Sequence, residues 1–143
     1  MGITITAKYK GAPEYDMGYG QFFCLRRDIA YLVSTEFGDL YSKLPSMYTA
    51  TPEVQRAFDE GMRILLEKYK VRKRLIPFLF KSDCGGYISP AQCKTVLMYL
   101  ESPFIEPEIE YGYDAPWRKR MTIRQFKELL NECCKRKVNL IWR

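Results

Sequence analysis

Short alternating apolar runs stand at both ends of this chain, and helical periodicity fills most of what lies between them. Ile3, Ile5, Ala7 and Tyr9 alternate with Thr4, Thr6 and Lys8, the pattern of a half-buried strand; Val138, Leu140 and Trp142 repeat it near the other end. Two such strands form only a marginal pair by themselves, so helices must cover their apolar face. The pattern predicts an α+β fold, a mostly helical single domain over residues 1–143 whose short N- and C-terminal strands pair. A chain of 143 residues suits one domain. At this length roughly 68–70% of the unfolded surface is buried on folding, and 47% hydrophobic and 15% aromatic residues supply the material.

Between the ends, punctuation divides the chain into short helices. Residues 10–20 hold three Gly and one Pro and read as a loop. Phe22, Leu25, Ile29, Leu32 and Val33 share one face of a helix expected over about 20–37, with Gly38 as its terminator and a further helical piece at 39–44 before Pro45. Thr51, Pro52 and Glu53 open a helix that runs to about Tyr69. Its stripe of Phe58, Met62 and Leu65 includes Gly61, which predicts close approach of another element. Pro77 separates that helix from a short segment within 71–80, and SDCGGYIS (82–89) reads as a turn. Ser89-Pro90-Ala91-Gln92 is a capping box opening a helix with Cys93, Val96, Leu97 and Leu100 inward. A long loop is expected over 102–120. Thr122 and Gln125 then form a second capping box, with Phe126, Leu129, Leu130 and Cys133 inward and Arg124, Lys127, Asn131 and Lys135 outward.

The charge is unevenly distributed. Residues 1–71 carry nine Lys/Arg and nine Asp/Glu, whereas 72–143 carry fourteen and eight, which accounts for the net +6. Five of those eight acids lie in Glu101–Asp114. The basic runs are Lys68 to Arg74, Arg118 to Arg120 and Lys135 to Lys137. Gathered on one face, they would attract phosphate groups. The residues expected to contact an anion are Arg72, Lys73, Arg74, Arg118, Lys119, Arg120, Arg124 and Lys127, with Tyr19, Tyr111, Tyr113 and Trp117 as stacking partners.

Catalytic readings fare less well. The chain has no histidine, the commonest general base and metal ligand. Five cysteines without a CxxC pair make a poor disulfide or zinc framework, and they read as reduced thiols, which points to the cytoplasm. Residues 81–92 match an EF-hand only in outline, since Lys81, Gly85 and Gln92 fall where calcium needs oxygen ligands and Asp83 alone survives. Glu106, Glu108 and Glu110 alternate, but such a run is more often a solvated loop. The glycine-rich DMGYG (16–20) precedes a helix and offers backbone N–H groups to an anion, although a plain strand-to-helix turn explains it better. No cofactor or metal is expected, no P-loop or GxGxxG occurs, and no apolar run is long enough to span a membrane.

DMGYGxFxxLR (Asp16 to Arg26), SDCxGxIS (Ser82 to Ser89) and the terminal Trp142 give the chain a pattern that resembles short proteins of Gram-positive bacteria and their phages. The resemblance brings no activity and no site residue. It implies a mobile-element product, a class that includes inhibitors of host defence and small binding proteins. The resulting expectation is a non-enzymatic binding protein whose partner is anionic: nucleic acid, nucleoprotein or a nucleotide messenger. A protein–protein module using aromatic loops 11–20 and 102–117 is the first alternative, and a histidine-free enzyme the second.

Overall fold

Antiparallel pairing of the two chain ends forms the middle of the main sheet, as the alternating termini predict. The computed structural model describes residues 2–101 and 121–143, together with the backbone of 110 and 111; the side chain of Thr122, and with it the second capping box, lies outside the described set. In chain order the elements are β1 (Gly2–Ala7), β2 (Glu14–Gly18), α1 (Tyr19–Val33), α2 (Thr35–Tyr41), a 3-10 turn (Leu44–Thr49), α3 (Pro52–Lys68), α4 (Ile76–Phe80), β3 (Gly86–Ile88), α5 (Pro90–Leu100), β4 (Glu110–Tyr111), β5 (Met121–Thr122), α6 (Ile123–Arg136) and β6 (Leu140–Trp142). The main sheet runs β2-β1-β6-β3, and β4 pairs with β5 in a separate two-stranded piece.

Strand register puts the buried apolar side chains of the sheet on one face, with Ile141 and Tyr87 on the other. Ile5 stands opposite both Tyr15 and Trp142, and Leu140 stands opposite Ala7 and Ile88. All of these are buried. Phe22 of α1, Phe78 of α4, Phe126 of α6 and Trp142 meet above that face, with ring centroids 5.4–6.0 Å apart from Phe22 to Trp142, Phe22 to Phe78, Phe78 to Trp142 and Phe78 to Phe126. The helices thus supply the cover that two short strands need.

Three expectations are corrected. Residues 14–18 are a strand rather than loop, because Gly11 takes a positive φ (86°) and turns the chain so that Tyr15 and Met17 fall on the buried face of β1. The 82–89 turn likewise contains β3: Gly86 lies so close under the Trp142 indole that a Cβ would stand 2.6 Å from Cζ2. Gly38 does not end a helix. Ser34 does that, where the backbone becomes extended, and the Ser34 hydroxyl then accepts from Phe37 N–H at 3.0 Å to begin α2. Gly38 instead sits inside α2 against the Tyr31 ring.

The other caps hold. Thr51 accepts from Val54 N–H at 3.3 Å, and Ser89 and Gln92 satisfy each other's backbone N–H groups at 3.2 and 2.8 Å. Gly61 admits Leu40 of α2, whose Cδ2 would lie 3.4 Å from a Cβ there. Glu36 of α2 accepts from Lys68 Nζ (2.8 Å) and the Tyr69 hydroxyl (2.5 Å), tying α2 to the end of α3.

Candidate anion-binding pocket

Arg26 is the feature of the fold that requires explanation. It follows Phe22 by four residues and precedes Ile29 by three, so the helix carries it into the apolar stripe of α1. Only 5% of it is exposed. Its guanidinium carbon lies 4.3 Å from the Phe22 ring centroid, 5.5 Å from Trp142 and 5.8 Å from Phe78. The rings favour a cation through their quadrupoles but accept no conventional hydrogen bonds. Nε and Nη2 are enclosed and have no hydrogen-bond partner, and among the described residues no carboxylate forms an ion pair with Arg26. Burial pulls the guanidinium pKa below its ordinary value, opposed by Tyr41, Asp83 and Tyr48 nearby. An unpaired buried polar group costs about 1–3 kcal/mol, which the fold sustains here.

Arg26 lines a cavity of about 350 Å³. Tyr19 and Phe23 come from α1, Leu44, Pro45 and Tyr48 from the 3-10 turn, Leu79 and Phe80 from α4, and Lys81, Ser82 and Asp83 from the segment that follows. Tyr41 holds two of the walls in place. Phe23 stacks on its ring at 5.6 Å and 7°, Phe80 packs edge-on at 5.5 Å, and its hydroxyl donates to Leu79 O at 2.5 Å. Burial pushes the Tyr41 hydroxyl pKa up, so it remains a donor. The polar rim is anchored as well. Trp142 Nε1–H donates to Ser82 O at 2.8 Å, and Lys81 donates to Tyr87 O at 2.6 Å with its ammonium 4.0 Å from the Tyr87 ring centroid. Tyr48 is 84% exposed at the mouth.

The residues expected to bind an anion are dispersed among several elements. Arg72, Lys73 and Arg74 are exposed between α3 and α4, where the Arg72 N–H donates to the Tyr99 hydroxyl at 3.2 Å; none of the three is ion-paired among the described residues. Arg124 is exposed on α6 and faces Glu128 at 3.9 Å, with Lys127 half-buried on the same helix. Arg118, Lys119, Arg120, Tyr113, Trp117, Glu106 and Glu108 lie outside the described residues, as do the side chains of Tyr111 and Glu110. Of the expected stacking residues, Tyr19 is placed in the pocket wall. The DMGYG turn is closed to an outside anion at Gly18, whose N–H donates to Gln21 Oε1 at 2.8 Å.

One basic cluster was invisible in the charge count. Lys8 N–H donates to Asn139 O at 2.9 Å, and Arg136 lies 3.9 Å from the Tyr9 ring centroid, so the end of β1 meets the exposed Lys135–Lys137 run. Arg136 is paired there with Glu132 at 2.8 Å. The cysteines are free thiols, with Cys93 and Cys133 buried and Cys84 exposed. A hydrogen bond with Cys133, together with burial, pushes the Cys93 thiol pKa up, as befits a structural thiol.

Arg26 itself was missed as a site residue, although a signal was present: a cation one helical turn from Phe22, inside a stripe that is otherwise apolar. Comparison of the chain with protein families, curated proteins and solved structures found no match.

Proposed function

We propose that this protein is a non-enzymatic binder of an anionic partner, whose anionic group enters the pocket beside Arg26. The observation that supports this reading is a buried guanidinium in the pocket lining with no carboxylate paired to it among the described residues. A charge-assisted bond from such a donor is about twice as strong as a neutral one. The surrounding groups suit holding rather than turnover: aromatic walls, an anchored Lys81 and a chain without histidine. Exposed cations at Arg72–Arg74, and at Lys8 with Lys135–Lys137, add positive surface charge that favours approach of an anion to the protein. In a mobile-element setting, such capture would withdraw an anionic signal or partner from a host defence.

The experiment is purification at low salt, followed by heat release and mass analysis of what the protein carried, run alongside a thermal-shift screen against small anions. The expected result is an anionic compound released from wild type and missing from Arg26→Met. A clean preparation, with no anion raising the melting temperature of the wild type more than that of Arg26→Met, overturns the reading.

A further inference from the structure

The pocket pairs one buried cation with rings on several sides, and that combination narrows the ligand class. Phosphate or sulfate alone would engage the guanidinium and make no use of the exposed Tyr48 ring or of the ring surface that Tyr19, Phe23 and Phe80 contribute to the lining. The volume of about 350 Å³ is also larger than a bare anion requires and falls at the lower end of the range for small-molecule sites. Asp83 and Ser82 add acceptor groups to the same lining. A carboxylate there repels a phosphate but accepts N–H groups, so the two ends of the ligand must differ in chemistry. From these observations we infer that the pocket binds a mononucleotide or a nucleotide unit, with its phosphate on Arg26, its base against the aromatic walls and an N–H edge of the base toward Asp83.

This inference rests on the anion-binding reading and adds the ring and its N–H edge. Each feature has an independent handle. Arg26 anchors the phosphate, Tyr48 at the mouth supplies a stacking face whose removal leaves the core untouched, and Asp83 selects bases that present donors. A base bearing adjacent imino and amino N–H groups, as guanine does, satisfies a carboxylate better than uracil, which has a single N–H.

The test is calorimetric titration of the full chain with 5′-GMP, 5′-UMP, phenyl phosphate, benzoate and inorganic phosphate, in wild type, Arg26→Met, Tyr48→Ala and Asp83→Asn. GMP is expected to bind about 10–100-fold more tightly than inorganic phosphate, the contribution of one stacked base. Loss of the charge-assisted bonds in Arg26→Met should weaken GMP by about 10–100-fold. Tyr48→Ala should weaken GMP and phenyl phosphate while leaving inorganic phosphate unchanged, and Asp83→Asn should narrow the difference between GMP and UMP. If benzoate or inorganic phosphate binds through Arg26 but neither nucleotide does better, the inference fails and anion binding stands. If no anion binds, or if binding is indifferent to Arg26 and Tyr48, both fall. Should Arg26→Met fail to fold, the exposed Tyr48 and the Asp83 variant decide the matter by the same criteria.

Discussion

Arg26 and Glu36 show two opposite uses of charge. Arg26 is buried among Phe22, Phe78 and Trp142 with unsatisfied N–H groups. Cation–π attraction is worth about 2 kcal/mol at a desolvated site, whereas burying the charge costs more than that. Methionine fills much of the same space without the charge. Arg26→Met is therefore expected to be neutral or to stabilise the fold by about 0–2 kcal/mol, read as an unchanged or raised melting temperature. A marked loss of stability would mean that the guanidinium serves the fold, and the Tyr48 and Asp83 variants then decide whether the pocket also serves a ligand. Glu36 is exposed, and its hydrogen bonds from Lys68 and then Tyr69 hold its pKa below the ordinary value. A carboxylate depressed in the folded state contributes stability above its unfolded pKa and loses it as pH falls through the folded pKa. The tie between α2 and α3 should thus weaken below the usual carboxylate range, and Glu36→Gln should flatten that part of the stability–pH curve. Added salt should shrink the effect, because the pair is solvent-exposed.

Helix starts were legible where a local cap precedes proline; Ser34 caps α2 just as locally, through Phe37 N–H, without that marker. Thr51 and Ser89 each act on an N–H three residues ahead, which spacing alone predicts. Gly38 and Gly86 were not legible in the same way, because each is matched to a ring distant in sequence or on another element. Glycine within a helix normally gives way to alanine with a gain of about 0.8–1 kcal/mol. Here a Cβ would stand 2.2 Å from Tyr31 Cδ1 and 2.4 Å from Cγ, near the root of the ring, where little swing is available. Gly38→Ala is expected to destabilise the protein by about 1–3 kcal/mol, visible as a melting temperature several degrees lower. A stabilised Gly38→Ala variant would show that α1 and α2 can part there at no cost.

Across the whole molecule, β6 governs cohesion. It lies between β1 and β3, places Trp142 against Phe22 and Phe78, and its Trp142 indole fixes Ser82 at the pocket rim. Thr4 and Arg143 exchange both backbone hydrogen bonds, at 2.8 and 3.0 Å, and Arg143 reaches Glu14 of β2 at 3.0 Å. Deleting residues 140–143 should therefore abolish cooperative unfolding, followed by circular dichroism, and with it any ligand response of the pocket. A truncated chain that still melts cooperatively would place the centre of stability elsewhere. The same closure explains the basic cluster of Lys8 with Lys135–Lys137, since two ends with different charge balances become neighbours only when the sheet forms.

Periodicity and capping, which act over three to seven residues, were enough to determine the α+β class, the pairing strands at the termini and most of the buried face of each helix. Folding decided which distant side chains share a space. Arg26 becomes a candidate anchor because α1, the 3-10 turn, α4 and the segment through Asp83 converge around it. Tyr15, within the aromatic loop expected over 11–20, is buried because β2 pairs with β1. Local rules report which face a residue takes; the identity of what it meets there depends on contacts between segments tens of residues apart, and those exist only in the assembled core.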